Sequence, residues 1–396
     1  MGEPSGMTYR RDRFTWTAFG ALFAFGFLLA LIGPALPYIR SVERISYIVA
    51  ALHQVAFAIG VGLAGALSAR DRPHFSRRSV IAVGLAGGGL AALAVGYGDT
   101  PPVTIAGALL MGLLGTLALI RLWASVADAH GPLRAVAMTE GEVAVSLAGV
   151  ITPLLIGALA TSFATWRLAF AVATAIVAVA VVGIGRVDFP TPRPTAPAPE
   201  PREHTRIQPT LVIILAIVAL EFALSFWLSS YLNEDIGLSP HTAVSLVSIL
   251  YASNLAGRLL ASRLARTHSQ EGVLGAALAV VVTGLPFLLA ARTVPAVLPG
   301  IVLAGAGIGA LFPMTSSLHV QASRRTADSA LGEILTVAAV GQLLGPFLAG
   351  AIAQASGLRT GLFVLPAFTL LAACGLLAHQ RHRSDHPVAR TATMGP

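Results

Sequence analysis

Residues 210–232 read TLVIILAIVALEFALSFWLSSYL, twenty-three residues with a single charge, Glu221. A helix rises about 1.5 Å per residue, so a stretch this long crosses the roughly 30 Å hydrocarbon core of a bilayer. Eleven more such stretches flank it: 14–37, 46–68, 79–97, 104–127, 135–159 and 168–187 before it, and 242–264, 272–291, 295–319, 329–353 and 359–378 after it. They are numbered helices 1 to 12 in chain order. Separate segments surrounded by lipid satisfy their backbone groups only as helices. Composition agrees: 55% of residues are hydrophobic and 11% charged, against about 25% charged in soluble domains.

The net charge of +8 is spread over short loops rather than gathered on one face, which argues against a nucleic-acid partner. All 26 basic residues are arginine, a pattern that reads as genomic base bias. With the N-terminus placed inside, the inner segments hold 20 arginines, Arg70, Arg72, Arg77, Arg78, Arg324, Arg325, Arg381 and Arg383 among them. The outer loops hold five, Arg40, Arg44, Arg167, Arg292 and Arg359, and Arg121 lies within helix 4. The positive-inside rule then puts both termini in the cytoplasm of a plasma-membrane protein. The basic start, Arg10 to Arg13, is followed by an apolar stretch long enough to be an uncleaved first helix rather than a signal peptide. Cys374 is the sole cysteine, so neither an internal disulfide nor a cysteine metal site is available.

The longest loop, 188–209, is proline-rich (Pro190, Pro192, Pro194, Pro197, Pro199, Pro201) and separates six helices from six. Sliding the chain by 193 residues lays 107–170 on 300–363 with twelve identities, including Gly112 on Gly305, Glu140 on Glu333, Pro153 on Pro346 and Gly157 on Gly350. The expectation is an all-α membrane protein: twelve transmembrane helices in two pseudo-symmetric six-helix bundles, 1–187 and 210–396, tethered by 188–209. Parallel six-helix repeats imply alternating access, with a substrate site near the midplane between them. Glycines such as Gly84, Gly87, Gly88, Gly89, Gly305, Gly307 and Gly309 suit close helix contact.

The loop after helix 8, GRLLASRLAR (257–266), resembles the cytoplasmic signature of the major facilitator superfamily, with Ser262 in the Asp slot and Ala265 at the second Gly. The first-half copy, GALSARDRPHFSRR (65–78), has Ala69 in that slot and Asp71 two residues late. Helix 11 carries GQLLGPFLAG (341–350), similar to the family's Gly-Pro string; Thr152, Pro153 and Gly157 form a weaker version in helix 5. The resemblance implies gating roles around Gly257, Arg263, Pro153 and Pro346; Glu333 is a gate or helix-terminus candidate by its place in the repeat. In helix 7, EFALSFWLSSYLNEDIGLS (221–239) is similar to the sugar:proton symporter branch that includes fucose permeases, through Glu221, Trp227, Leu228, Tyr231 and Leu232.

Ionisable groups inside spans are costly and mark function by default. Glu221 stands mid-helix with Ser225 one turn on, and is the leading proton carrier. Arg121 sits at similar depth to Glu140 and Glu142 across the helix 4–5 hairpin, which predicts a contact with one of them as a strut, a gate or a proton-coupling site. Glu333 is the repeat partner of Glu140. His53 beside Gln54, and Tyr251 and Asn254 on one face of helix 8, are candidate solute contacts; Arg258 on that face, near the cytoplasmic end, is a gate or a lipid-phosphate anchor. Trp227 and Tyr231 form a stripe that either stacks on a sugar or packs. Trp16 and Phe19 either line the cavity or face lipid.

Neither a Walker loop nor a constellation for catalysis, metal or cofactor is visible, so the chain is not expected to be an enzyme. The expected partners are a small-molecule solute, protons and the bilayer, with the protein working as a monomer. The expected activity is proton-coupled movement of a small polar solute, such as a sugar. A proton-driven exporter of drug-like metabolites and a non-transporting sensor on the same fold are the alternatives.

Overall fold

The computed structural model describes residues 10–70, 75–163, 165–190, 208–322 and 327–385. Most of the 188–209 tether, and Arg72, Arg324 and Arg325, fall outside those residues. The described residues form twelve helices long and apolar enough to cross a membrane.

Helix 1 spans Arg13–Glu43, in two pieces, Arg13–Ala30 and Ile32–Glu43. Pro34 explains the break: it has no N–H, and its ring crowds the carbonyl four residues back. Helices 2 to 6 are Tyr47–Ser68, Arg77–Tyr97, Pro101–His130, Val136–Ser162 and Leu168–Gly185; helices 7 to 12 are Pro209–Glu234, Pro240–Leu264, Gln270–Ala290, Val294–Gln321, Gly332–Ser356 and Leu358–Arg381. Several run a turn past the expected bounds. Pro101, Pro209 and Pro240 sit at helix starts, where an N–H is unpaired anyway and the fixed φ suits the first turn.

The order of ends follows from side-chain contacts. Arg11 reaches Glu140, and Arg77 reaches Asp128 at 2.5 Å, gathering the starts of helices 1, 3 and 5 with the end of helix 4. That is the face where the first helix begins, here the terminal face. At the opposite, far face, Arg167 meets Asp99 at 2.6 Å, and Arg359 donates to the carbonyls of Leu289 and Ala291.

The internal repeat is visible as packing. A Cβ on Gly112 would meet the Phe57 carbonyl of helix 2, and one on Gly305 the Leu250 carbonyl of helix 8. Helices 4 and 10 thus approach the second helix of their own halves backbone to backbone, as small residues permit in lipid. Gly157 abuts His241 and Ser245 of helix 8, while Gly350 abuts Tyr47 and Ala51 of helix 2. The two halves therefore meet through the pairs 5–8 and 2–11. Gly257, expected in a gate, packs against the Ala306 carbonyl inside its own half.

Candidate functional site

Between the halves lies a cavity of about 150 Å³. Helix 1 lines it with Gly26, Leu29, Ala30 and Gly33, and helix 5 with Glu142, Val145, Ser146 and Gly149. Both sets follow the i, i+3, i+4, i+7 spacing of one helical face. Helix 7 contributes Glu221, Phe222, Ser225 and Phe226; helix 8 gives Tyr251, Asn254 and Arg258; helix 2 gives Gln54. The volume is below the roughly 300–1,000 Å³ of ordinary ligand pockets.

The polar groups concentrate around Glu221. Asn254 donates from Nδ2 to its Oε1 at 3.1 Å. Arg258 Nη1 donates to Glu142 Oε2 of the other half at 3.0 Å. One arginine thus stands between two carboxylates on different halves, bonded to Glu142 and electrostatically coupled to Glu221.

At the far face, too, described residues bridge the halves. Arg40, at the end of helix 1, pairs with Glu234 at the end of helix 7, and Tyr47 bonds the same carboxylate. The Arg40 guanidinium lies 4.0 Å from the centre of the Tyr47 ring. Gln354 accepts from the Tyr47 N–H at 3.1 Å, and Ser229 donates to the Gly33 carbonyl at 2.8 Å.

Other candidates lie off the cavity. His53 is buried, with Nδ1 3.1 Å from the Ala50 carbonyl and Nε2 2.9 Å from Thr104 Oγ1. Neighbouring residues on a helix point about 100° apart, and Gln54 takes the cavity side. Trp227 and Tyr231 are packing residues: the indole N–H donates to the Pro346 carbonyl at 2.9 Å and the phenol to the Leu288 carbonyl at 2.6 Å. By the same helical count they lie roughly 150–170° around from the middle of the cavity-lining face of helix 7, so neither is placed to stack on a solute there. Glu140 takes two bonds from Arg11, at 2.8 and 2.5 Å. Arg121 is half-buried in helix 4 and is not a lining residue. Glu333 meets His319 at 3.3 Å, and that buried histidine also holds Thr210 at 2.8 Å. Pro153 is buried in helix 5, and Arg263 is exposed at the end of helix 8. Trp16 is 61% exposed and Phe19 buried, and neither lines the cavity.

Sequence reasoning passed over Ser146, Phe222, Phe226 and the helix 1 face. Ser146 was within reach: it stands one turn beyond Glu142. Nothing apolar in helix 1 distinguished its cavity face from its lipid face.

Twelve spans in two repeated halves around a central cavity define a membrane transporter rather than an enzyme. The chain belongs to the Major Facilitator Superfamily, whose sequence profile matches residues 18–332 and 211–394. A D-xylose-proton symporter superposes with TM-score 0.74 at 15% identity, over 93% of this chain and 96% of that one. The nucleoside transporter NupG gives 0.75 at 11%, over 93% and 99%. A bacterial homologue of the human lysosomal transporter Spinster gives 0.71 at 15%, over 94% and 98%. Identities this low establish the shared fold alone. No curated protein sequence matches the chain.

Proposed function

We propose that the protein is a proton-coupled secondary transporter that moves a small polar solute by alternating access, with Glu221 as the coupling carboxylate. The observation that carries this reading is the placement of Glu221 in the cavity between the halves, hydrogen-bonded to Asn254 and near Arg258. A charge held at that depth costs at least about 2.5–3.5 kcal/mol. A proton removes that cost, and loss of the proton restores a second anion beside Arg258. Ionised Glu221 then competes with Glu142 for the arginine and weakens the cross-half pair at 3.0 Å. Proton loading would thus be tied to the contact that alternation must break.

Ser225, Asn254, Gln54 and the Tyr251 hydroxyl suit a hydroxylated solute such as a sugar, the class carried by the xylose symporter of this fold. Import down the proton gradient is the direction we favour. Leu29, Phe222 and Phe226 on the same wall support a second reading, proton-driven export of amphiphilic metabolites. The arginine asymmetry supports a plasma-membrane protein with the terminal face cytoplasmic.

Proteoliposomes with an imposed pH gradient, assayed against a solute panel in both polarities, test the function. A sugar or polyol should accumulate when protons flow with it. Accumulation only against proton flow would favour export, and movement of no solute in either polarity would favour a sensor. Reporter tags at residue 200 and the C-terminus should both read cytoplasmic.

A further inference from the structure

The far wall of the cavity contains a carbonyl that its own helix cannot fully use. Along an α-helix each C=O accepts from the N–H four residues on, so Gly33 depends on residue 37. That residue is Pro37, inside the second piece of helix 1, and proline has no N–H to give. In hydrocarbon such a carbonyl needs a donor from elsewhere. Ser229 of helix 7, in the other half, supplies one. Its hydroxyl donates to the Gly33 carbonyl at 2.8 Å, and the bond is buried.

Both helices are shaped for this contact. A Cβ on Gly33 would come within 2.9 Å of the Ser225 carbonyl and 3.0 Å of the Phe226 Cα, so the missing side chain lets helix 1 lie against the backbone of helix 7. Ser229 also departs from the habit of other hydroxyls in the spans. Thr152, Thr283, Thr315 and Thr369 each donate to the carbonyl four residues back in their own helix, at 2.8–2.9 Å. Ser229 has the Ser225 carbonyl at that spacing and bonds Gly33 instead. The repeat does not copy the arrangement. Aligning the two first helices on Thr15 and Thr210 sets Leu232 opposite Pro37, and the proline of helix 7 stands at its start.

We propose that Pro37 makes the Gly33 carbonyl one half of a latch that holds the far side of the cavity shut, with the Ser229 hydroxyl as the other half. While the far face is closed, Ser229 satisfies the carbonyl that Pro37 leaves without its helical donor. When that face opens the bond breaks. Gly33 lines the cavity, so water or a solute hydroxyl then takes the place of Ser229. Without the Ser229 hydroxyl, the closed state would bury an acceptor short of its donor, a cost that the open, wetted state escapes. The Arg40–Glu234 pair at the same face is partly exposed and screened by water, so the buried bond carries the larger penalty when lost. The latch rests on the alternating-access reading, but not on the role assigned to Glu221.

Distance measurements between spin labels on the full chain in lipid nanodiscs test the latch. In a Cys374→Ser background, the labels go on Ser162→Cys, at the end of helix 5, and Thr293→Cys, just before helix 10, both exposed at the far face. Ser229→Ala should move the closed-to-open ratio toward open by roughly tenfold. Pro37→Ala restores an N–H at residue 37, so adding Ser229→Ala to it should change the ratio by less than about twofold. That rescue separates the latch from a general packing role for Ser229, which would give the same shift in both backgrounds and overturn the part assigned to Pro37. Two distances whose ratio ignores Ser229→Ala overturn the latch and leave alternating access standing. A single distance in the wild type and in every variant overturns both.

Discussion

Helices 1 and 7 hold the same post in the two halves and do different work there. Near the terminal face, Thr15 of helix 1 lies 2.9 Å from His130, at the end of helix 4. Thr210 of helix 7 holds His319, near the end of helix 10, at 2.8 Å. Eleven residues past each threonine the chain reaches the central cavity, with Gly26 on one side and Glu221 on the other. The scaffold is repeated and the chemistry is not. Gly26 lets helix 1 press on helix 5, where a Cβ would come within 2.7 Å of Ala148 and of the Val145 carbonyl. Glu221 brings a titratable group into the space that such packing leaves. A repeat that kept a carboxylate in both places would bury two like charges across one small cavity, which electrostatics disfavours.

Substitution of Glu221 should have the largest effect. Glu221→Gln is expected to abolish proton-driven accumulation and leave solute exchange at equal pH intact, because exchange needs the alternating motion but no net proton transfer. A glutamine variant that still concentrates solute would move the coupling role to Glu142 or Glu140.

On the opposite helix the loss should be one of stability. Gly26→Leu overpacks the contact with Ala148 and Val145 and should cost about 1–3 kcal/mol, read as a lower unfolding midpoint in detergent. Gly20→Ala is the control, since nothing lies within 4 Å of its missing Cβ. Equal midpoints for the two variants would remove the packing half of the comparison.

The helix starts differ as well. Asp12 caps helix 1, accepting from the Thr15 N–H at 2.8 Å and the Thr15 hydroxyl at 2.6 Å, whereas Gln208 makes no such bond before helix 7. Burial pushes the Asp12 carboxyl up, but the Thr15 bonds together with His130 outweigh it and hold it below its ordinary value of 3.8. Asp12→Ala should therefore cost about 1 kcal/mol at neutral pH. A carboxyl held low stabilises the fold above its ordinary value and loses that effect as pH falls through the lowered one. The difference between variant and wild type should accordingly shrink in acid, while Gln208→Ala should change little at any pH.

The smallest stability change is expected at the cross-half pair. Glu142 is 45% exposed and Arg258 27%, so Glu142→Gln should lower the midpoint by no more than about 1 kcal/mol. Its sharper readout is conformational. Spin labels across the terminal face should report a wider separation in the variant, and an unchanged distance would show that the pair does not hold that face.

Much of this architecture was written in the chain. Twelve apolar stretches and a repeat that keeps Glu, Pro and Gly at fixed spacing are local or periodic signals. Lipid enforces them, because a backbone in hydrocarbon has to bond within its own helix. Glu221 was conspicuous for the same reason: one charge in twenty-three residues needs no partner to be noticed. Asn254 and Ser225 followed from helical spacing alone.

The contacts with Arg11 and Arg258 did not follow. Depth placed Glu140 and Glu142 level with Arg121, but it gave no hint that Glu140 takes bonds from Arg11 and Glu142 from Arg258 of the other half. Depth along a helix comes from counting residues, whereas the direction of a side chain depends on how each helix is rotated in the bundle. Spans this uniformly apolar carry little of that information, since lipid and neighbouring helices accept the same side chains. For that reason the sequence by itself determined the number of helices and their pairing into repeats. Only the tertiary structure decided that Gln54 rather than His53 faces the cavity, and that Trp227 and Tyr231 pack away from it.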